Sequence, residues 1–352
     1  MVARSPAPPL PHARHASDAT AGVVLGVMLL AAVAVFCCWL IGTRALDVGT
    51  DTDTYAGFFE SLDQLPTGTR LEPGFVYLSY ALRQLGLGVI GYQTALFALL
   101  LCTIVVATRN YARYIGESRG YLTLLSASLM LLLVSPMFAN ASINAVRQGL
   151  AAPLVFAALL SFHQRRWWGA AIYGALASSL HYSSLLYLAF APALLLNARM
   201  LRYVAAAAFL LYVSGMSLVL VRSLVPALYN AVMEYTPNRY YKSGVRIDFA
   251  VFSIFWYALP HVLAPLVRSP QRERIKDSTA VYLVMLLPFF AIGWGYFSNR
   301  YLLPGWLAVS MILAGVLCHS RIAILRNPLL IRLGLVASCA VFYVYVVNVI
   351  VI

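Results

Sequence analysis

The sequence is poor in charge and in the motifs of soluble enzymes. Only 11% of its 352 residues are charged and 62% are hydrophobic, which excludes a soluble globular domain and predicts a protein that lies in a bilayer. The five cysteines stand in apolar stretches without C-x-x-C spacing, so neither a disulfide framework nor a zinc site is indicated. No G-x-x-x-x-G-K-[ST] or H-E-x-x-H motif occurs, which leaves soluble nucleotide or zinc chemistry without support.

The net charge of +13 does not indicate a nucleic-acid partner. The Lys and Arg residues are spread through short segments between apolar runs, whereas a nucleic-acid site gathers them on one soluble face. We therefore attribute the positive charge to membrane topology and predict no nucleic-acid binding.

Apolar runs along the chain predict an all-α, polytopic integral membrane protein with about eleven transmembrane helices, within a range of about ten to twelve. The runs lie near 21–42, 89–108, 121–138, 148–162, 167–181, 183–197, 203–222, 249–268, 279–297, 301–318 and 333–352. The shorter run 73–88 carries Arg83 and Gln84, so we interpret it as an interfacial or re-entrant helix. Residues 1–20 are expected to form a disordered cytoplasmic tail. Residues 21–352 would form a single transmembrane domain with external loops 43–88 and 223–248.

The distribution of basic residues tests this topology. With a cytoplasmic N-terminus and a segment 73–88 that does not cross, 16 of the 25 Lys and Arg residues fall in cytoplasmic segments and eight fall outside. This agrees with the positive-inside rule. A crossing at 73–88 would invert everything after it and place most basic loops outside.

Half of the acidic residues lie in the first external loop. They are Asp47, Asp51, Asp53, Glu60, Asp63 and Glu72. Asp51 and Asp53 would suit a divalent cation or supply a general base, and the plainer interpretation is a solvated acidic turn before a short helix. We do not favour the cation and expect no cofactor. Glu72 is either a general base or only the carboxylate before a helix that begins at Pro73.

Two arginines precede predicted spans on the same outer side. Arg147, in the turn from Asn140 to Gln148, and Arg300 both stand where a helix dipole is already positive, which indicates an anion shared with free backbone N–H groups. A phosphate group fits this pattern. Two alternatives stay open for Arg147, a pair with a first-loop carboxylate or a side chain that reaches the surface.

Two further outer features carry polar groups. His181 lies in a tight turn between apolar runs, where a polar residue is either functional or simply hydrogen-bonded packing. Arg239 and Lys242 flank tyrosines in the second external loop, and this mixture suits a sugar-bearing anion as well as an ordinary interfacial aromatic belt.

The order of four short motifs resembles the EpsG family of bacterial exopolysaccharide membrane proteins. The motifs are D-T-D-x-Y at 51–55, E-P-G-F at 72–75, N-x-x-R-Q at 144–148 and H-x-S at 181–183. The resemblance implies a multi-pass protein of the bacterial inner membrane that makes capsule or exopolysaccharide. It further implies a Wzy-like polymerase acting on undecaprenyl-diphosphate-linked repeat units, with a GT-C-like layout but without the soluble C-terminal domain of many GT-C enzymes. A flippase and a chain-length regulator of the same pathway would be its partners.

These observations give a candidate site. The catalytic candidates are Asp53, Glu72 and His181, and the substrate-binding candidates are Asp51, Tyr55, Asn144, Arg147, Gln148, Arg239, Lys242 and Arg300. A carboxylate or His181 would deprotonate the acceptor sugar, while the basic residues would stabilise the departing diphosphate. A flippase of lipid-linked sugars and an O-antigen ligase-like transferase are the rival hypotheses.

Overall fold

The protein is helical throughout its described parts. The computed structural model describes residues 11–66, 68–117, 120–234 and 243–348, with side chains from residue 22 onward. Within these ranges every regular element is a helix, and the only strand pairing is an isolated bridge between Val267 and Ser320. The predicted all-α class is therefore confirmed for this part of the chain.

The helices follow one another with short connections. The first half contains α1 (Pro11–Gly42), α2 (Thr52–Glu60), α3 (Pro73–Gln84), α4 (Val89–Ile115), α5 (Tyr121–Leu133), α6 (Pro136–Ile143), α7 (Val146–His163), α8 (Trp167–Leu180) and α9 (Ser184–Ala189). The second half contains α10 (Ala198–Val213), α11 (Met216–Leu224), α12 (Pro226–Met233), α13 (Ile247–Leu263), α14 (Gln271–Ile292), α15 (Leu303–Cys318) and α16 (Pro328–Val347). Helix α1 begins within the segment predicted as a tail, and disorder of residues 1–10 stays a prediction.

Fewer helices qualify as membrane spans than the sequence predicts. In the described residues six are long and apolar enough to cross: α1 from Gly22, α4, α7, α13 with its 3-10 extension to Leu266, α14 and α16. Two helix pairs, α5 with α6 and α10 with α11, are bent by 84° and 88° and raise the number to eight if each pair is one span. The expected count of about eleven and the GT-C-like layout are not confirmed.

Helix length explains the difference. The run 167–181 forms α8, whose 14 residues rise only about 21 Å, short of a hydrocarbon core of about 30 Å. The run 183–197 divides into the six residues of α9 and a 3-10 turn that contains Pro192. The run 301–318 forms α15, which has 16 residues and is buried in the protein along most of its length. Hydropathy alone does not separate such helices from lipid-facing ones.

Three helices form the centre of the molecule. Most residues of α7, α14 and α15 are buried, whereas only 22–33% of the most apolar window of α1, α4, α13 and α16 is buried. Small residues let α7 approach a neighbouring helix closely. At Gly149 in α7, a Cβ atom would lie 2.5 Å from the carbonyl oxygen of Ala141 in α6. This close approach fixes the corner between α6 and α7, where several candidate residues lie.

Polar contacts gather at both ends of the central helices. At one end Glu72 meets Arg147 and His181 at the starts or ends of α3, α7 and α8. At the other end Asp277 of α14 meets His163, the last residue of α7. Helix α3 has 12 residues, or about 18 Å, and is too short to span the bilayer. It lies at the first of these ends, as an interfacial helix would.

Candidate functional site

Glu72 is the centre of the candidate site. It precedes α3 with extended backbone and Pro73 follows at the first helical position, yet its side chain makes no cap bond to that helix. Its side chain is only 3% exposed. The carboxylate accepts hydrogen bonds from the Arg147 guanidinium, from His181 Nδ1 at 2.7 Å and from the backbone N–H of Tyr182 at 3.1 Å. Glu72 lies at a helix start, but its carboxylate bonds to Arg147 of α7 and to the turn after α8 instead of capping α3.

A glycine brings the two motifs together. At Gly74 a Cβ atom would lie 2.5 Å from Ser179 Oγ and 2.7 Å from the Ser179 carbonyl oxygen. Only glycine therefore lets the start of α3 lie against the last turn of α8. This contact holds the E-P-G-F motif next to the H-x-S motif. It thereby brings Glu72 within hydrogen-bond distance of His181.

The electrostatics of Glu72 argue against its use as a base. Burial alone raises its pKa, but the hydrogen bond from His181 and the charge of Arg147 outweigh burial and lower the pKa to about 2. A carboxyl group this acidic holds a proton poorly at neutral pH. Because an ionised carboxylate only accepts, His181 must donate from Nδ1. In the neutral imidazole, Nε2 is then an acceptor, and none of the described residues hydrogen-bonds to it.

Arg147 is engaged by the protein itself. Besides the pair with Glu72, its Nε donates to the hydroxyl of Tyr55 at 3.3 Å, and its guanidinium carbon lies 6.0 Å from the ring centroid of Phe75. Of the interpretations left open by the sequence, the structure shows the pair with a first-loop carboxylate. Tyr55 lies on α2, so this arginine joins the D-T-D-x-Y motif to the E-P-G-F motif.

The two aspartates of the first loop have different positions. Asp51 precedes α2, and its Oδ2 lies 3.5 Å from Nη2 of Arg300. Asp53 is exposed in the first turn of α2, and no hydrogen bond or ion pair among the described residues joins it to Glu72, Arg147 or His181. In the same residues no group of three His, Cys, Asp or Glu side chains is placed to hold a metal ion.

Asn144 attaches the first loop to the helical core. Its Oδ1 accepts from the backbone N–H of Thr50 at 2.8 Å, and its Nδ2 donates to Oδ1 of Asn140 at 3.1 Å. Both amide atoms are thus engaged within the protein. The residue positions the loop that carries Asp51 and Tyr55.

Gln148 and Ser183 line a cavity, and each also carries a buried polar atom without a partner. Gln148 Nε2 donates to the carbonyl oxygen of Arg300, whereas Gln148 Oε1 and Ser183 Oγ are buried without a hydrogen-bond partner in the described residues. Such atoms are costly unless a ligand or water satisfies them. Both residues line one cavity with His181 and Arg300.

This outer cavity has a volume of about 300 Å³. Its polar wall holds His181, Gln148, Ser183 and Arg300, and its remaining surface is aromatic and aliphatic. That surface includes Leu186, Leu228, Val232, Ile292, Tyr296, Phe297 and Tyr301. The guanidinium carbon of Arg300 lies 4.6 Å from the ring centroid of Phe297. A sugar ring with an attached phosphate matches this combination of aromatic faces, hydrogen-bonding groups and one cation.

Sequence reasoning missed Ser183 as a polar lining residue and the aromatic segment before Arg300. The latter is the segment W-G-Y-F-S-N-R-Y at 294–301, whose density of aromatic residues next to an arginine was the available signal. Two predicted residues, Arg239 and Lys242, lie outside the described residues. A G-x-G-x-x-G spacing at 86–91 joins α3 to α4 and follows no strand, so it does not have the structural context of a dinucleotide site.

The docking of the first loop can be tested at Gly49, which has φ +94°. A Cβ there would lie 2.5 Å from Asn144 Oδ1 and 2.4 Å from Ile143 Cγ2. We expect Gly49→Ala to lower the free energy of unfolding by about 1–3 kcal/mol, because it adds a clash to backbone strain. Thermal unfolding in detergent measures the loss. Gly86→Ala is the control, since Gly86 has φ +77° with no atom within 4 Å of its Cβ position. Equal losses in the two variants would contradict the docking contact.

The described site residues all lie within the part of the chain that matches a known protein family. A family model described as the EpsG family matches residues 27–351, nearly the whole chain. The four motifs, the outer cavity and the ion pairs around Glu72 all fall within the matched range. No curated protein and no solved structure matches the chain.

Proposed function

The chain belongs to the EpsG family, whose members are membrane proteins of exopolysaccharide biosynthesis, and from this premise we propose that it is a polysaccharide polymerase. It would join oligosaccharide repeat units carried on undecaprenyl diphosphate, on the non-cytoplasmic face of the bacterial inner membrane. The single observation that carries the proposal is the pair between the buried Glu72 and His181, beside the outer cavity that His181 and Arg300 line. This arrangement supplies a base, its orienting group and a cation within one site.

In the proposed reaction His181 is the base. A hydroxyl of the acceptor sugar attacks the anomeric carbon of the donor, and its proton passes to His181 Nε2. The bond between the anomeric carbon and the diphosphate oxygen breaks, and the polyprenyl diphosphate leaves with the electron pair. Glu72 is a positioning residue that holds the Nδ1–H tautomer and stabilises the imidazolium that forms.

Arg300 would stabilise the charge that develops on the departing diphosphate. Its side chain is 34% exposed and its only described ion pair is the long, 3.5 Å contact with Asp51. Such a partly exposed pair is weak, so a diphosphate would displace it readily. Arg239 and Lys242 would assist from the second external loop. Arg147 would act indirectly, by keeping Glu72 ionised and in place.

The positions of charged residues favour an enzyme over the rival flippase. In the six candidate spans every Asp, Glu, Lys and Arg lies within about two turns of a helix end. A transporter of charged lipid-linked sugars is expected to carry charged residues near the bilayer midplane as well as on both faces of its pathway. An O-antigen ligase-like transferase would use the same chemistry and differ only in the acceptor.

Reconstitution tests the proposed function. Purified protein in nanodiscs would be incubated with synthetic lipid-linked repeat units, with and without EDTA, and the glycans separated by size. A ladder of longer lipid-linked glycans is the expected product. In a parallel reaction with an added lipid A core acceptor, transfer only to that acceptor would instead identify a ligase. Movement of repeat units across proteoliposomes without elongation would identify a flippase and refute the polymerase.

A further inference from the structure

A second polar cavity lies at the opposite end of the helices from the outer cavity. It has a volume of about 250 Å³ and lies between α10, α13 and α14. Fifteen residues of α14 separate Asp277, in its wall, from Ile292 at the outer cavity, which corresponds to about 22 Å along the helix. In the predicted topology this inner cavity lies at the cytoplasmic boundary of the bilayer. The proposed polymerase reaction makes no use of it.

The charges in the wall of the inner cavity balance. Arg202 and Lys276 supply two positive charges, and Glu273 and Asp277 supply two negative ones. Lys276 pairs with Glu273 at 3.0 Å, but both side chains are exposed, so this pair rearranges at little cost. A ligand of matching charge is therefore neutral overall, and a zwitterion would pair with wall charges of both signs.

The anionic group of a ligand would meet Arg202. Its Nε donates to the carbonyl oxygen of Ala198 at 3.1 Å on its own helix, and no described acceptor holds its two terminal nitrogens. The paired terminal N–H groups of a guanidinium match the oxygens of a phosphodiester. Lys276 lies in the same wall and adds a second cation.

The cationic group would meet acceptors on α13 and α14. The hydroxyl of Thr279 donates to the carbonyl oxygen of Lys276 at 2.6 Å, so it must accept the bond that joins it to His261 Nε2 at 3.0 Å. Neutral His261 then has an acceptor at Nδ1. Oδ2 of Asp277 bonds to both the Tyr114 hydroxyl and His163. Oδ1 of Asp277 is therefore available as an acceptor for a ligand. A primary ammonium, with three N–H donors, suits these acceptors better than a quaternary one, which has none.

We propose that the inner cavity binds the headgroup of a zwitterionic phospholipid with a primary ammonium. The phosphodiester lies against Arg202 and Lys276, and the ammonium against Asp277 and His261. A water occupies about 30 Å³ of liquid, so the cavity holds roughly as many non-hydrogen atoms as a phosphoethanolamine group has. Val262 and Tyr203, next to His261 and Arg202 in the sequence, are 71% and 63% exposed. They offer apolar surface to the acyl chains.

Lipid retention tests this site directly. The protein would be equilibrated in mixed micelles with equal amounts of phosphatidylethanolamine, phosphatidylcholine and phosphatidylglycerol, and bound lipids counted by native mass spectrometry. We expect phosphatidylethanolamine to be retained about tenfold over the other two, the size of one charge-assisted hydrogen bond. Equal retention of phosphatidylglycerol would overturn the charge-matched headgroup.

Two variants and a soluble competitor complete the test. Arg202→Ala and Asp277→Asn should each lower retention of phosphatidylethanolamine about tenfold, while Arg199→Ala should not, because Arg199 is exposed on the same helix but does not line the cavity. Thermal unfolding checks that the variants are folded. Unchanged retention in folded Arg202→Ala protein would overturn the proposal. Complete displacement of the lipid by an equal concentration of glycerophosphoethanolamine would identify a soluble ligand instead and overturn the lipid assignment.

Discussion

His181→Gln is expected to lower the rate of glycan elongation by about 10²–10⁴-fold, the usual contribution of a general base. Glutamine keeps a polar group beside Glu72 but has no nitrogen that takes up a proton near neutral pH. The variant should still insert and fold, because the side chain is near the cavity surface and is 21% exposed. Single-turnover elongation in nanodiscs measures the effect on the chemical step, separately from binding of the lipid-linked substrates.

A second histidine supplies the control for this variant. His319 also pairs with a carboxylate, since its Nε2 lies 2.9 Å from Oε2 of Glu117, but the pair is at the opposite end of the helices. His319→Gln removes a comparable imidazole–carboxylate contact and should leave the elongation rate unchanged, because neither His319 nor Glu117 lines the outer cavity. A native rate in His181→Gln protein would remove His181 as the base and return that role to Asp53.

Part of this site could be predicted from the sequence. The two side chains that bond to Glu72 were identified from their motifs, because each motif combines polar groups with a helix start or a tight turn. The bond from the backbone N–H of Tyr182 was not predicted. The sequence could not show how the side chains pair. Glu72 and Arg147 are 75 positions apart and Glu72 and His181 are 109 apart. Their contact depends on the packing of Gly74 against Ser179, a fit between two helices that no periodicity reveals.

The roles of the charged groups could likewise not be predicted from the sequence. A lone arginine at a helix N-terminus indicates an anion, and the pattern does not distinguish a bound phosphate from a carboxylate of the same chain. For Arg147 the anion is Glu72. For Arg300 the partner is the partly exposed Asp51, and the guanidinium still lines a cavity. Two arginines with the same local sequence setting thus have different electrostatic surroundings.

The predicted number of spans is not confirmed in the described residues, for a related physical reason. Hydropathy measures how apolar a segment is, and a helix enclosed by other helices is as apolar as one that faces lipid. Helix α15 is nearly all buried at 16 residues, so its surroundings are protein and its length need not match the bilayer. The breaks between α5 and α6 and between α10 and α11 also divide apolar runs that read as continuous in the sequence.

Arg147→Ala is expected to destabilise the protein by about 3–5 kcal/mol and to abolish elongation. The variant leaves Glu72 buried without its cation, and removal of one partner from a buried ion pair has this cost. Thermal unfolding in detergent gives the stability, and the nanodisc reaction gives the activity. Lys276→Ala provides the comparison for stability, because its pair with Glu273 is exposed and should contribute less than about 1 kcal/mol.

The double variant Arg147→Met with Glu72→Leu separates folding from catalysis. Two apolar side chains of similar volume replace the ion pair, so most of the lost stability should return, whereas elongation should stay abolished because His181 has lost the carboxylate that orients it.

Acid unfolding of the same two proteins adds an independent test. The pKa of Glu72 falls from 4.5 to about 2 on folding, so its contribution to stability is complete above pH 4.5 and is lost as the pH falls through 2. The native protein should therefore lose stability over that interval by an amount that the double variant does not show. Recovery of elongation in the double variant would mean that Glu72 and Arg147 only hold the helices together, and the oriented imidazole would no longer explain the reaction.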